Sequence, residues 1–122
     1  MATILGIEDN RANMTLASFL LESAGHTVIC ATNGEAGLTL AREEQPDLIL
    51  LDIHLPGMDS LQALALLKQD EATRAIPVVA LTALAMKGDE ERIRAAGCDE
   101  YIAKPIHYAE LLATVAAQLA AR

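Results

Sequence analysis

Tryptophan is absent, phenylalanine occurs once and tyrosine twice, so the chain offers no stacking platform for bases or sugars. Basic residues are also scarce: nine Lys plus Arg against seventeen Asp plus Glu give a net charge of −8. That balance repels a nucleic-acid backbone, whose binding needs clustered Lys and Arg to displace counterions, and argues against a nucleic-acid partner. Apolar runs are short, each interrupted within about ten residues, whereas a membrane-spanning helix needs roughly 20. The opening MATILGIEDN lacks a basic start and turns acidic at once, so no secretory signal is read and the expected location is cytoplasmic. Only Cys30 and Cys98 carry thiols. They lie far apart, form no metal-ligand spacing and read as small buried hydrophobes. Function must therefore come from charged groups at a small site.

What is present is a strongly apolar, finely alternating chain of 122 residues, 52% hydrophobic and 21% charged, of a size for one domain. Five apolar runs, TILGIE (3–8), TVICA (27–31), DLILLD (47–52), IPVVALT (76–82) and EYIA (100–103), alternate with five segments of helical periodicity. The first, 11–24, sets Met14, Ala17, Leu21 and Ala24 on one face. The second, 34–44, has Asn33 as N-cap and Pro46 as a stop. The third and fourth span 59–69, with Leu61, Leu64 and Ala65, and 87–96, ending at Gly97 as C-cap. The last, 107–120, carries Leu111, Leu112, Val115 and Leu119 inward.

Strict strand–helix alternation predicts right-handed βαβ units and an α/β fold with a parallel sheet. The third and fourth strands are apolar on both faces and read as central. So does the first, although Gly6 weakens its packing. The shorter, more polar second and fifth suit the edges.

In such a sheet the functional crevice lies beyond the carboxyl ends of the strands. Glu8 and Asp9 follow the first strand there, Asp52 the third, Thr82 and Ala83 the fourth, Lys104 and Pro105 the fifth. Three carboxylates on one rim repel, by roughly 4 kcal/mol for two unit charges about 4 Å apart at an effective dielectric near 20. Such a cluster either holds a proton or binds a hard cation such as Mg²⁺, which keeps part of its shell for a phosphate oxygen. Asp52 could then accept a phosphoryl group, since carboxylates form aspartyl phosphates. The residues alone leave open a plainer reading, a set of ordinary polar strand ends.

The spacing of IEDN, LLDIHLPGMD, VVALTA and YIAKPI resembles the receiver domains of two-component response regulators along essentially the whole chain. The run AMKGDEERIRAAGCDEYIAKPI (85–106) resembles the single-domain, DivK-like members. The resemblance implies a doubly wound (βα)5 fold with sheet order 2-1-3-4-5, and one receiver domain over residues 1–122 with no effector domain. It implies a phosphoacceptor at Asp52, charged by the phosphohistidine of a histidine kinase or phosphotransfer protein. Asp9 and Asp52 would bind Mg²⁺ (or Mn²⁺) directly, Glu8 through water, and His54 through its backbone carbonyl. Thr82 and Lys104 would meet the phosphoryl group, with Ala83 beside them and the Lys104–Pro105 bond cis. Tyr101 would be the aromatic switch that swings inward as Thr82 moves. The face of the fourth helix, fifth strand and fifth helix would bind a downstream protein, the chain being a monomer or weak dimer.

Three positions depart from the commoner family pattern. Gly6 replaces a β-branched residue, Ser60 stands where glycine is usual, and His54 follows Asp52 by two residues. His54 is expected to lean over the site, where it either tunes the lifetime of the aspartyl phosphate or, as an exposed loop residue, supplies only its carbonyl. An aspartyl-phosphate phosphatase would want a second Asp at position 54. A flavodoxin-like binder would want Ser, Thr and Gly where Glu8 and Asp9 stand. A receiver cut from a hybrid kinase, or one that binds partners unphosphorylated, would share this fold.

Overall fold

The computed structural model describes residues 2–53, 60–82, 87–103 and 106–120. Strands β1 (Thr3–Ile7), β2 (Thr27–Ala31), β3 (Leu48–Asp52), β4 (Val78–Thr82) and β5 (Glu100–Ala103) alternate with five helices. These are α1 (Arg11–Ser23), α2 (Gly34–Glu44), α3 (Ser60–Gln69), α4 (Lys87–Ala95) and α5 (Tyr108–Ala120). All strand pairs are parallel and the order is β2-β1-β3-β4-β5. This is the doubly wound arrangement expected from the alternation.

Strand parity sorts the core into two layers. Leu5, Ile7, Ile49, Leu51, Val78 and Ala80 face Leu38 and Ala41 of α2, Leu64 and Leu67 of α3, and Ile93 of α4. Ile4, Leu48, Leu50, Val79, Leu81 and Ile102 face Leu21 of α1 and Leu111 and Val115 of α5. β3 and β4 are buried at every position, as central strands covered on both faces must be. β2 and β5 are the half-exposed edges.

The helix signals hold with small shifts. Asn33 caps α2, its Oδ1 accepting the Ala36 N–H at 2.8 Å, and Gly97 takes the positive φ of 113° that follows a helix end. β4 begins at Val78 rather than at Ile76, whose N–H closes a turn onto the Thr73 carbonyl at 3.0 Å. Ala24 is exposed rather than inward, because α1 ends at Ser23 and the chain turns there.

The cysteine reading needs a larger correction. Cys30 is exposed and Cys98 only half-buried; both are free thiols near opposite sheet edges. An edge strand has one uncovered flank, so a small apolar residue there need not be inside. Burial pushes the Cys98 thiol above its ordinary pKa, partly offset by the charge of Arg94.

Two glycines meet neighbours in different ways. A Cβ on Gly6 would lie 2.8 Å from Met14 Cε, the free end of a flexible side chain that can give way. A Cβ on Gly37 would press on Ile7, at 2.8 Å from Cγ1 and 3.2 Å from Cγ2, and Ile7 is only 1% exposed in the core. Overpacking of that kind costs about 1–3 kcal/mol, against a gain of about 1 kcal/mol in helix propensity. Gly37→Ala is therefore expected to lower the urea midpoint, by a net loss of up to about 2 kcal/mol. An unchanged or higher midpoint would show that α2 can move off β1.

Candidate functional site

The site is built at the carboxyl ends of β1 and β3, adjacent strands whose windings diverge. β3 supplies Asp52 at the end of LILLD, five residues buried throughout. Its register fixes the height of that carboxylate: Leu51 is paired with Ala80 and Asp52 with Leu81, and the next N–H, of Ile53, donates to the Leu81 carbonyl at 2.9 Å. Asp52 stands on a strand held on both sides, so it has little freedom to shift.

Glu8 directly follows β1. Its own N–H donates to the Ala31 carbonyl at 3.0 Å, extending the β1–β2 ladder by one step. Its Oε1 accepts the Asn10 N–H at 3.2 Å, which folds the carboxylate toward the start of α1. Asn10 in turn caps α1, accepting the Asn13 N–H at 3.0 Å. The N-terminus of α1, the positive end of its macrodipole, therefore lies next to the acidic pair. Asn10 was not singled out from sequence, although an Asn immediately before a periodic segment is a capping signal.

Ligand oxygens of Glu8, Asp9 and Asp52 all lie within 4.8 Å of one another. Glu8 and Asp52 are 4% and 3% exposed, whereas Asp9 is exposed, so the cluster opens to solvent on the side of Asp9. This donor set contains hard carboxylate oxygens and no thiolate or imidazole, which fits Mg²⁺ or Mn²⁺ rather than Zn²⁺ or Cu²⁺. An open side leaves room for water and a phosphoryl oxygen in the remaining positions.

Thr82 ends β4, one step beyond the partner of Asp52, and is fully buried. Tyr101 on β5 pairs with Ala80, and Thr82 with Ala103. Tyr101 and Thr82 therefore share the sheet face covered by α3 and α4, and Tyr101 packs half-buried against that core layer. Arg94 lies over its ring, a neighbour the sequence reading missed. Its signal would have required knowing how α4 crosses β5. His54, Ala83, Lys104 and Pro105 lie outside the described residues.

A groove of about 610 Å³ opens from the carboxylates along α1, lined by Glu8, Asp9, Arg11, Phe19, Cys30 and Thr32 among others. Phe19 on its wall is 66% exposed. Among the described residues, no helix is long and apolar enough to cross a membrane.

Comparison with known proteins places these features. A family model described as the response regulator receiver domain matches residues 4–116. The polar-differentiation response regulator DivK of Brucella anthropi is 48% identical over 117 residues, covering 96% of this chain and 95% of that protein. The receiver domain of a sensor histidine kinase from Pseudomonas aeruginosa, solved with a magnesium ion coordinated in its active-site cleft, superposes with a TM-score of 0.91. It is 34% identical and covers 98% of each chain. A putative response regulator from Chloroflexus aurantiacus gives 0.93 at 29% identity, again over 98% of each chain.

Proposed function

The chain belongs to the response regulator receiver domain family, and from that premise we propose that it is a cytoplasmic two-component switch phosphorylated on Asp52. The observation that carries this reading is the convergence of Glu8, Asp9 and Asp52 within 4.8 Å at the end of a buried strand. A carboxylate beside two others is a poor nucleophile toward an anionic phosphoryl group unless their charge is neutralised. A bound Mg²⁺ (or Mn²⁺) would supply that neutralisation and draw charge from the phosphoryl oxygens. Asp9 and Asp52 would hold it directly, Glu8 through water, with the His54 carbonyl completing the set.

In the transfer, an Asp52 oxygen forms the new P–O bond as the P–N bond of a phosphohistidine breaks. The imidazole leaves with the bonding pair and takes up a proton. Rigidity of β3 keeps the attacking oxygen in place, the positioning that phosphoryl transfer chiefly requires. The product exchanges the single negative charge of the Asp52 carboxylate for a phosphoryl group of about −1.5 to −2, with three strong acceptor oxygens at the rim. Thr82 would answer it with a hydrogen bond from its hydroxyl and Lys104 with its ammonium, with Ala83 and Pro105 as their neighbours in sequence. Tyr101, on the same face as Thr82, moves into the space that Thr82 leaves, a discrete repacking of a close-packed interior.

The face of α4, β5 and α5 would carry this change to a protein target, the chain being a monomer or weak dimer. The phosphodonor, a histidine kinase or phosphotransfer protein, would dock over the open side of the carboxylates. Only its own phosphorylation and dephosphorylation would be supported, with His54 tuning the second. A phosphatase acting on small esters is disfavoured because position 54 holds His where that chemistry wants Asp.

The test uses a phosphorylated histidine phosphotransfer domain as donor. Label should pass stoichiometrically to the chain and be released by alkali and by neutral hydroxylamine, as from an acyl phosphate. Catalytic turnover of p-nitrophenyl phosphate without retained label would instead identify a phosphatase.

A further inference from the structure

Arg94 stands in the last turn of α4, next to the buried Ile93 that anchors the helix. Its Nη2 donates to Glu100 Oε1 at 2.8 Å, and its Cζ lies 5.0 Å from the centroid of the Tyr101 ring. The same Glu100 oxygen accepts the Tyr101 backbone N–H at 3.0 Å. One carboxylate thus ties a guanidinium to the residue whose ring that guanidinium covers. The arrangement joins α4 to β5 at the one aromatic residue sharing a face with Thr82.

We infer that Arg94 is a positioning residue of the switch. Fixed by Glu100, its guanidinium holds the Tyr101 ring in its half-buried place, and the stack must break before the ring can turn inward. This deepens the proposal above and rests on its reading of Asp52 as phosphoacceptor and of Tyr101 as the partner of Thr82. A planar guanidinium stacked on an aromatic face attracts it through the ring quadrupole. On this inference the attraction, made with the ring in its half-buried place, is lost when the ring turns inward, so it biases the equilibrium toward the unphosphorylated form. With the inward ring as the form that accepts the phosphoryl group, whatever favours the half-buried place lowers the population of that form, and phosphorylation slows by the same factor. Arg94 and Glu100 side chains are 45% and 38% exposed, so solvent screening keeps the bias modest. A modest bias leaves the switch reversible.

Arg94→Ala is expected to speed phosphorylation of Asp52 by acetyl phosphate and Mg²⁺ roughly two- to five-fold, the factor for an exposed cation–π contact. Glu100→Gln, which frees the guanidinium without deleting it, should act in the same direction and less strongly. Arg94→Lys keeps the charge without the planar stack and should fall between wild type and Arg94→Ala.

A second readout separates positioning from simple covering. With tryptophan absent and only two tyrosines, a Tyr108→Phe background leaves Tyr101 as the sole emitter. Were Arg94 only a cover, removing it would uncover the ring and raise acrylamide quenching. If it holds the ring outward, Arg94→Ala should lower quenching, in the same direction as phosphorylation of the unaltered background. An unchanged phosphorylation rate, or increased quenching, overturns the inference. If the unaltered chain takes no phosphoryl group at all, the failure belongs to the reading of Asp52, and the role of Arg94 falls with it.

Discussion

Asp52→Asn is expected to melt higher than the unaltered chain in metal-free buffer while accepting no phosphoryl group. Its carboxylate is 3% exposed, with oxygens within 4.8 Å of those of Glu8 and Asp9. Two unit charges at that separation repel by roughly 3–4 kcal/mol at an effective dielectric near 20. Asparagine is the same shape without the charge, so two such repulsions vanish. Part of the gain is offset by weaker hydrogen bonds to a neutral amide. Asp9 is exposed and its share is screened. The net stabilisation should be about 1–3 kcal/mol, or several degrees in the thermal midpoint for a domain of this size.

The metal response should reverse the comparison. Added Mg²⁺ stabilises by mass action only a folded state that binds it, so it should raise the midpoint of the unaltered chain far more than that of Asp52→Asn. Scanning calorimetry with EDTA and with millimolar Mg²⁺ measures both effects. A lower midpoint for Asp52→Asn without metal would mean that the carboxylate contributes to the fold and is not under strain from its neighbours.

Asp9→Asn should weaken Mg²⁺ binding by more than about 100-fold, since losing even an outer-shell partner of a metal costs 10–100-fold. Asp9 is the exposed member of the cluster, so its loss should barely disturb packing. Folding stability without metal should therefore be preserved or slightly improved, while the metal titration shifts by two orders of magnitude or more. Isothermal titration on both proteins reads this directly. An unchanged affinity would place the cation elsewhere.

These effects trace back to β3, the part of the chain most legible in sequence. Four branched aliphatic residues before Asp52 describe a strand buried on both faces, and every position from Leu48 to Asp52 is indeed buried. The acidic rim was legible for a related reason: strand order and the rule that sites lie beyond carboxyl ends together bring residues 8, 9 and 52 to one place. Asn33 and Gly97 were legible because a cap needs a particular residue type at one position.

Features that depend on how elements cross were not legible. Cys30 reads as an interior residue by type, yet it sits on an edge strand with one flank uncovered. Gly37 looks like any helical glycine until Ile7 is found against its Cα. Arg94 looks like a solvent-facing charge near a helix end, and only the approach of α4 to β5 sets it over Tyr101. Periodicity reports which side of an element is apolar. It does not report which neighbour a side chain meets.

The central claim is that Asp52 accepts a phosphoryl group at a site organised by Glu8 and Asp9. Intact-mass spectrometry after incubation with acetyl phosphate and Mg²⁺ tests it most directly. The account predicts a gain of one phosphoryl group in the unaltered chain, lost when EDTA replaces Mg²⁺ and absent from Asp52→Asn. No mass gain in the unaltered chain, or an equal gain in Asp52→Asn, would contradict it.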